Sequence, residues 1–137
     1  MALDIKKLEY YNITVEDHAP EGAKLLSLFA NVGISWYAFK AVTLEPKCTR
    51  FSLFPNDGFK MIMGAKNAGL SLDGPYPALM IKDSDESGAL ADIYEKLAQA
   101  GIDVNESSGI ADINGGYGVI LYLNKADCEK AMKVLEM

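Results

Sequence analysis

Asp85-Glu86-Ser87-Gly88-Ala89-Leu90 and, after one helix length, Ala100-Gly101-Ile102-Asp103-Val104 are the stretch that decides the fold. Leu90, Ile93, Leu97 and Ala100 recur at the spacing that puts one apolar stripe on a helix. Gly101 stands where such a helix stops. Upstream, Pro77 to Lys82 predicts a strand and Asp83 to Gly88 a polar turn. Downstream, Ile102 to Ile113 predicts an extended stretch, Asn114-Gly115 a hairpin turn, and Tyr117 to Leu123 the returning strand. Lys125 to Met137 closes the segment as a helix with Cys128, Ala131, Met132 and Leu135 on one side.

The same order stands earlier in the chain. Laying Asp17 on Asp85 brings Gly33 onto Gly101 and Ile34 onto Ile102 without a gap, and that register predicts a duplication. The first copy opens with a strand, Leu8 to Val15. The turn Asp17-His18-Ala19-Pro20-Glu21-Gly22 follows, with proline where a helix's first turn tolerates it. Leu25, Leu28, Phe29 and Val32 mark a helix that stops at Gly33. Ile34 to Leu44 and Thr49 to Phe54 read as paired strands around Pro46-Lys47. Asp57 is placed to cap a helix carrying Phe59, Ile62 and Met63, which ends at Ala68-Gly69, and Leu70-Ser71-Leu72 suits a short closing strand. Asp73-Gly74-Pro75 is the strongest break, so modules are expected over residues 1–73 and 74–137. This order gives an antiparallel sheet with helices on one face. The second copy stops before its fourth strand, which leaves Met1 to Ile5 or a neighbouring chain to supply that edge.

The stretch from Asp85 to Val104 resembles the ACT domain signature, Asp-x-Pro-Gly-x-Leu, a helix, then Gly-Ile-Asn-Ile. Ser87 replaces the usual proline and Asp103 the usual asparagine. The first copy keeps Asp17 and Gly33-Ile34 but reads Ala19-Pro20 for Pro-Gly, Gly22 for leucine, and Ser35-Trp36 after the isoleucine. Covering about residues 8–72 and 76–137, the resemblance implies an α+β fold of two tandem ferredoxin-like βαββαβ modules with no attached enzyme. It also implies a regulatory, non-catalytic role: an amino acid binds at module or subunit interfaces, and the binding is reported to an enzyme or regulator.

Elementary chemistry gives such a site its logic. The first N–H groups of a helix lack internal partners and favour an anion, so a ligand carboxylate suits the strand-to-helix turns. Asp17, Asp85 and Asp103 suit an ammonium group, while Gly22 and Gly88 allow close approach to the backbone. The expected ligand-binding residues are therefore Asp17, His18, Ala19, Pro20, Glu21, Gly22 and Ile34 in the first copy. Asp85, Glu86, Ser87, Gly88, Ala89, Leu90, Ile102 and Asp103 are their counterparts in the second. The plain alternative is that both aspartates only cap helices and the glycines only shape turns.

Composition narrows the rest. In 137 residues, 50% are hydrophobic and 23% charged, which fits a packed globular chain, and the net charge of −6 opposes binding to nucleic acid. That charge also argues against an RNA-recognition module, although Tyr37 and Phe39 could stack bases. Met1 to Tyr11 carries charges and offers no leader, and no apolar run is long enough to span a bilayer, so a cytoplasmic setting with no membrane partner is expected. The glycosylation patterns at Asn12 and Asn105 are then chance matches. Cys48, Cys128 and His18 are too few and too scattered for a structural zinc site, so no metal is expected. His18 adjoins Asp17 but has no nucleophile to serve, and no phosphate-binding glycine motif is present, so neither catalysis nor a cofactor is expected. Ile34 to Leu44 is apolar on both faces; either both are covered within the chain, or Tyr37 and Phe39 mark the interface of a homodimer. The rival reading is a small dimeric α+β barrel enzyme, which would need a deep apolar pocket between sheet and helices.

Overall fold

The computed structural model describes residues 4–16, 19–45, 47–83, 88–112 and 115–136. In chain order it contains β1 (Asp4–Glu16), α1 (Ala19–Asn31), β2 (Trp36–Leu44), β3 (Cys48–Pro55), α2 (Gly58–Asn67) and β4 (Asp73–Asp83). These are followed by α3 (Ala89–Gln99), β5 (Glu106–Ala111), β6 (Tyr117–Tyr122) and, after a 3-10 turn at Lys125–Asp127, α4 (Cys128–Leu135). The architecture is α+β.

The chain divides into two units, one of residues 9–76 and one of residues 4–8 with 77–136. β1 and β4 each contribute one part to either unit. Within the first, the strand order is β2-β3-β1-β4, and within the second it is β1-β4-β6-β5. The pairs β1/β3, β2/β3, β4/β6 and β5/β6 are antiparallel.

Strand side chains alternate between faces, and in each unit one face gathers the helices. In the first unit Tyr11, Ile13, Phe51 and Leu53 meet Leu25, Phe29, Met61 and Ala65. In the second, Leu79, Ile81, Val119 and Leu121 meet Ile93, Leu97, Cys128, Ala131 and Leu135. The register that lays Asp17 on Asp85 also lays these cores on each other. It pairs Tyr11 with Leu79, Ile13 with Ile81, Leu25 with Ile93, Phe29 with Leu97, Ile34 with Ile102, Phe51 with Val119 and Leu53 with Leu121, all buried. The helix ends agree too. Gly33 has φ +83° and Gly101 φ +71°, and Ile34 N donates to Phe29 O at 3.1 Å as Ile102 N does to Leu97 O at 3.0 Å. A residue with positive φ after the last turn lets the following N–H return to the helix's orphan carbonyls.

Residues 4–8 supply the strand that the second copy lacks in sequence. Ile5 packs on the core of that unit, and Lys7 Nζ lies 3.5 Å from Glu129 Oε1 on α4.

Three local expectations are corrected. Asp57 does cap α2, accepting from Lys60 N at 3.1 Å, but the helix buries Met61, Gly64 and Ala65, leaving Phe59, Ile62 and Met63 exposed. Gly64 is the reason: a Cβ there would lie 3.5 Å from Val32 and 3.7 Å from the Phe29 ring, so the small residue faces α1. Asp73-Gly74-Pro75 opens β4 rather than forming a turn before it, and the two units part just after it, between residues 76 and 77. Pro75 and Pro77 precede Ala78, the first β4 residue registered with β6, so their missing N–H groups cost no bond on that side. Gly74 (φ +141°) is required there because a Cβ would sit 2.9 Å from Tyr10 O. Leu70-Ser71-Leu72 forms no strand. On β2, Tyr37 and Phe39 are 56% and 63% exposed, so their face is not covered within the chain. Replacing Asp57 with alanine is expected to cost about 1 kcal/mol, read as a lower urea midpoint at unchanged slope.

Candidate functional site

Of the expected binding residues, Asp17, His18, Asp85, Glu86 and Ser87 lie outside the described residues. Ala19, Pro20, Glu21 and Gly22 form the first turn of α1. Glu21 Oε1 accepts from Lys24 Nζ at 3.5 Å, and Gly22 serves packing, because a Cβ there would stand 3.2 Å from the Phe51 ring. Gly88 (φ +91°) precedes α3, which has no side-chain cap, and nothing described comes within 4 Å of a Cβ built on it. Ala89 and Leu90 continue that helix, with Leu90 42% exposed.

Ile34 and Ile102 are buried core residues at the far ends of α1 and α3. At 1.5 Å per residue, those helices separate them from the first turns by roughly 15–20 Å. Exposed Asp103 follows Ile102 at the same far end. Within each unit the turn residues and the residues after the helix are therefore not brought together.

What the structure does bring together is a groove of about 530 Å³ in the second unit, lined by Lys82, Asp83, Ile110, Ala111, Asp112 and Gly115–Gly118. It lies where β4 ends. Its origin is readable in the register: Lys82 on β4 pairs with Gly118 on β6, which pairs with Ile110 on β5. Directly opposed residues share a face, and this row is on the face away from the helices, since the neighbouring row of Ile81 and Val119 is in the core. Gly118 has no side chain, so the middle of the row is a trough between a lysine and an isoleucine. The hairpin closes one end through Asp112 N to Gly116 O and Gly115 N to Asp112 O, both at 3.0 Å. Gly115 and Gly116 have φ of +101° and +103°, a conformation that favours glycine.

On the face of that row the groove offers one cation, Lys82, one carboxylate, Asp112, and apolar surface from Ile110; Asp83 and Tyr117 also line it, but their row alternates to the helix face, where Tyr117 packs on the core. A volume of this size suits a metabolite rather than a macromolecule. Sequence reading explained Gly115-Gly116-Tyr117-Gly118 as a turn and missed Lys82, Ile110, Asp112, Tyr117 and Gly118 as a group. The available signal was Gly118 itself, since a glycine inside a strand marks a close approach by backbone or ligand.

Elsewhere, the space between helices and sheet in each unit is a packed core rather than the deep pocket a barrel enzyme would use. Cys48 and Cys128 are free thiols, and burial pushes the Cys128 thiol up, away from thiolate reactivity. Among the described residues no group of three or more His, Cys, Asp or Glu side chains could hold a metal ion, and no helix is long and apolar enough to cross a membrane.

The fold is similar to that of solved aspartate kinase subunits. The regulatory subunit of aspartate kinase from Thermus thermophilus superposes with a TM-score of 0.69 at 12% identity over 98% of this chain and 95% of that one. A structure of aspartokinase α and β subunits gives 0.67 at 18% identity over 98% and 95%. Protein BT0572 from Bacteroides thetaiotaomicron gives 0.82 at 17% identity over 96% of this chain and 88% of that one. No family model and no curated protein matches the sequence.

Proposed function

We propose that this chain is a tandem ACT-like regulatory protein, two βαββαβ modules without catalytic activity, that binds an amino acid and works as a cytoplasmic homodimer. The observation that carries the reading is the groove beside Gly118, which joins a cation, a carboxylate and an apolar wall where β4 ends. These are the complementary charges of a zwitterion: carboxylate toward Lys82, ammonium toward Asp112, side chain along Ile110. Asp85 to Leu90 stay the proposed binding turn in this reading, and the uncapped start of α3 is a second anion-favouring feature. The likeness to the regulatory subunit of aspartate kinase from Thermus thermophilus supports the regulatory role. The outward Tyr37 and Phe39 face of β2, an outer strand of its unit, supports association.

A thermal-shift and calorimetry screen of the full chain against the twenty amino acids tests the reading. At a hundredfold excess over Kd a true ligand adds about 2.7 kcal/mol, which raises the melting midpoint by several degrees. Silence from all twenty removes it.

A further inference from the structure

We infer that only one of the two units takes a guest at this position, so that the chain binds one ligand, and that the residue in the middle of the row decides which unit it is. The inference rests on the reading just proposed and adds its stoichiometry and gate. The row that forms the groove, Lys82–Gly118–Ile110, has a counterpart in the first unit at the same register, Thr14–Arg50–Val42. The geometry is the same, with the middle residue on β3 in one unit and on β6 in the other. The chemistry is opposite. Where Gly118 leaves a trough, Arg50 places a long side chain whose Nε is buried. The cation also sits elsewhere: in the second unit it is Lys82 on the flanking strand, beside an open middle, whereas in the first it is Arg50 itself, in the middle, with uncharged Thr14 on the flanking strand. The duplicated fold thus keeps one copy as a structural partner and one as the receptor.

Gly118 can be tested without breaking the fold. Its backbone is not in the left-handed region, and an added Cβ would meet only Ile110 O, at 3.9 Å. Gly118→Leu should therefore fold as the parent does while its side chain occupies the trough; a two-dimensional amide spectrum of the labelled chain checks the fold directly.

The experiment titrates the ¹⁵N-labelled full chain with an equimolar mixture of the twenty amino acids. The expected result is movement of the Lys82, Ile110, Gly115 and Gly116 amides in the parent, with Thr14, Val42 and Arg50 stationary, and loss of that movement in Gly118→Leu. Calorimetry with the active amino acid should give one site per chain. Movement of the Thr14, Val42 and Arg50 amides, two sites per chain, or retained movement in folded Gly118→Leu overturns the inference and leaves the binding role standing. A parent spectrum that does not move anywhere overturns both.

Discussion

Phe29→Ala is expected to lower the unfolding free energy by about 3–5 kcal/mol, a large part of the roughly 5–15 kcal/mol that holds a typical domain folded. Phe29 is fully buried. Its ring meets Trp36 edge-on with centroids 5.6 Å apart, and Gly64 of α2 comes close beneath it. Truncation removes the transfer energy of the ring, leaves a cavity that α1 and α2 cannot close without moving, and deletes an aromatic pair worth about 0.5–1.5 kcal/mol. Leu97→Ala, at the matching place in the second unit, should cost about 2–5 kcal/mol by the same route. Phe59→Ala is the control: that side chain is 73% exposed, so its removal should stay within about 0.5 kcal/mol. Urea denaturation of the three variants settles the matter. A Phe29→Ala midpoint no lower than that of Phe59→Ala would show that the core has been assigned to the wrong residues.

The contrast between these two phenylalanines also marks how far the sequence could be read. Periodicity alone placed α1 and α3, because Leu25 and Phe29 on one and Ile93 and Leu97 on the other are buried and each helix is followed by a glycine with positive φ, although Val32 and Leu90 at the ends of the same stripes are exposed. On α2 the same rule chose the wrong face. Phe59, Ile62 and Met63 point outward, and the buried face is Met61 with the small Gly64 and Ala65, of which Gly64 meets the neighbouring helix; a search for bulk overlooks positions selected for lack of it. Asp73-Gly74-Pro75 misled in a related way. Glycine and proline usually interrupt a strand, but here the glycine answers the approach of Tyr10 O, and the prolines lie before the stretch of β4 registered with β6.

The groove was the least legible feature. Lys82, Ile110 and Gly118 sit on three different strands and become neighbours only through pairing register. Strand periodicity says which residues share a face of one strand, not which residues of another strand stand opposite. The duplicated register, by contrast, was legible because it needs only identities along one chain, and it then allowed Arg50 to be compared with Gly118.

Lys82→Glu is expected to weaken amino acid binding by roughly thirtyfold, about 2 kcal/mol at 1.4 kcal/mol per tenfold. Lys82 is the cation among the groove-lining side chains, on the same face as Asp112. Neutralising it, as in Lys82→Gln, removes one charge-assisted contact, and because the lysine is solvent-exposed the loss should sit near the low end of about 1.5–3 kcal/mol or below it. Reversing it adds a carboxylate against the ligand's own, and like-charge juxtaposition of that kind costs more than the missing contact does. The order of affinities should therefore be parent, then Lys82→Gln, then Lys82→Glu. The gap between the last two should shrink at 1 M salt, where the Debye length is about 3 Å. Stability should change little, since the side chain is exposed and its strand pairing with β6 is through the backbone. Calorimetry at two ionic strengths with the active amino acid measures all three chains. Equal affinity in the parent and Lys82→Glu would mean that the ligand carboxylate lies elsewhere, and the groove would then lose its claim to be the binding site.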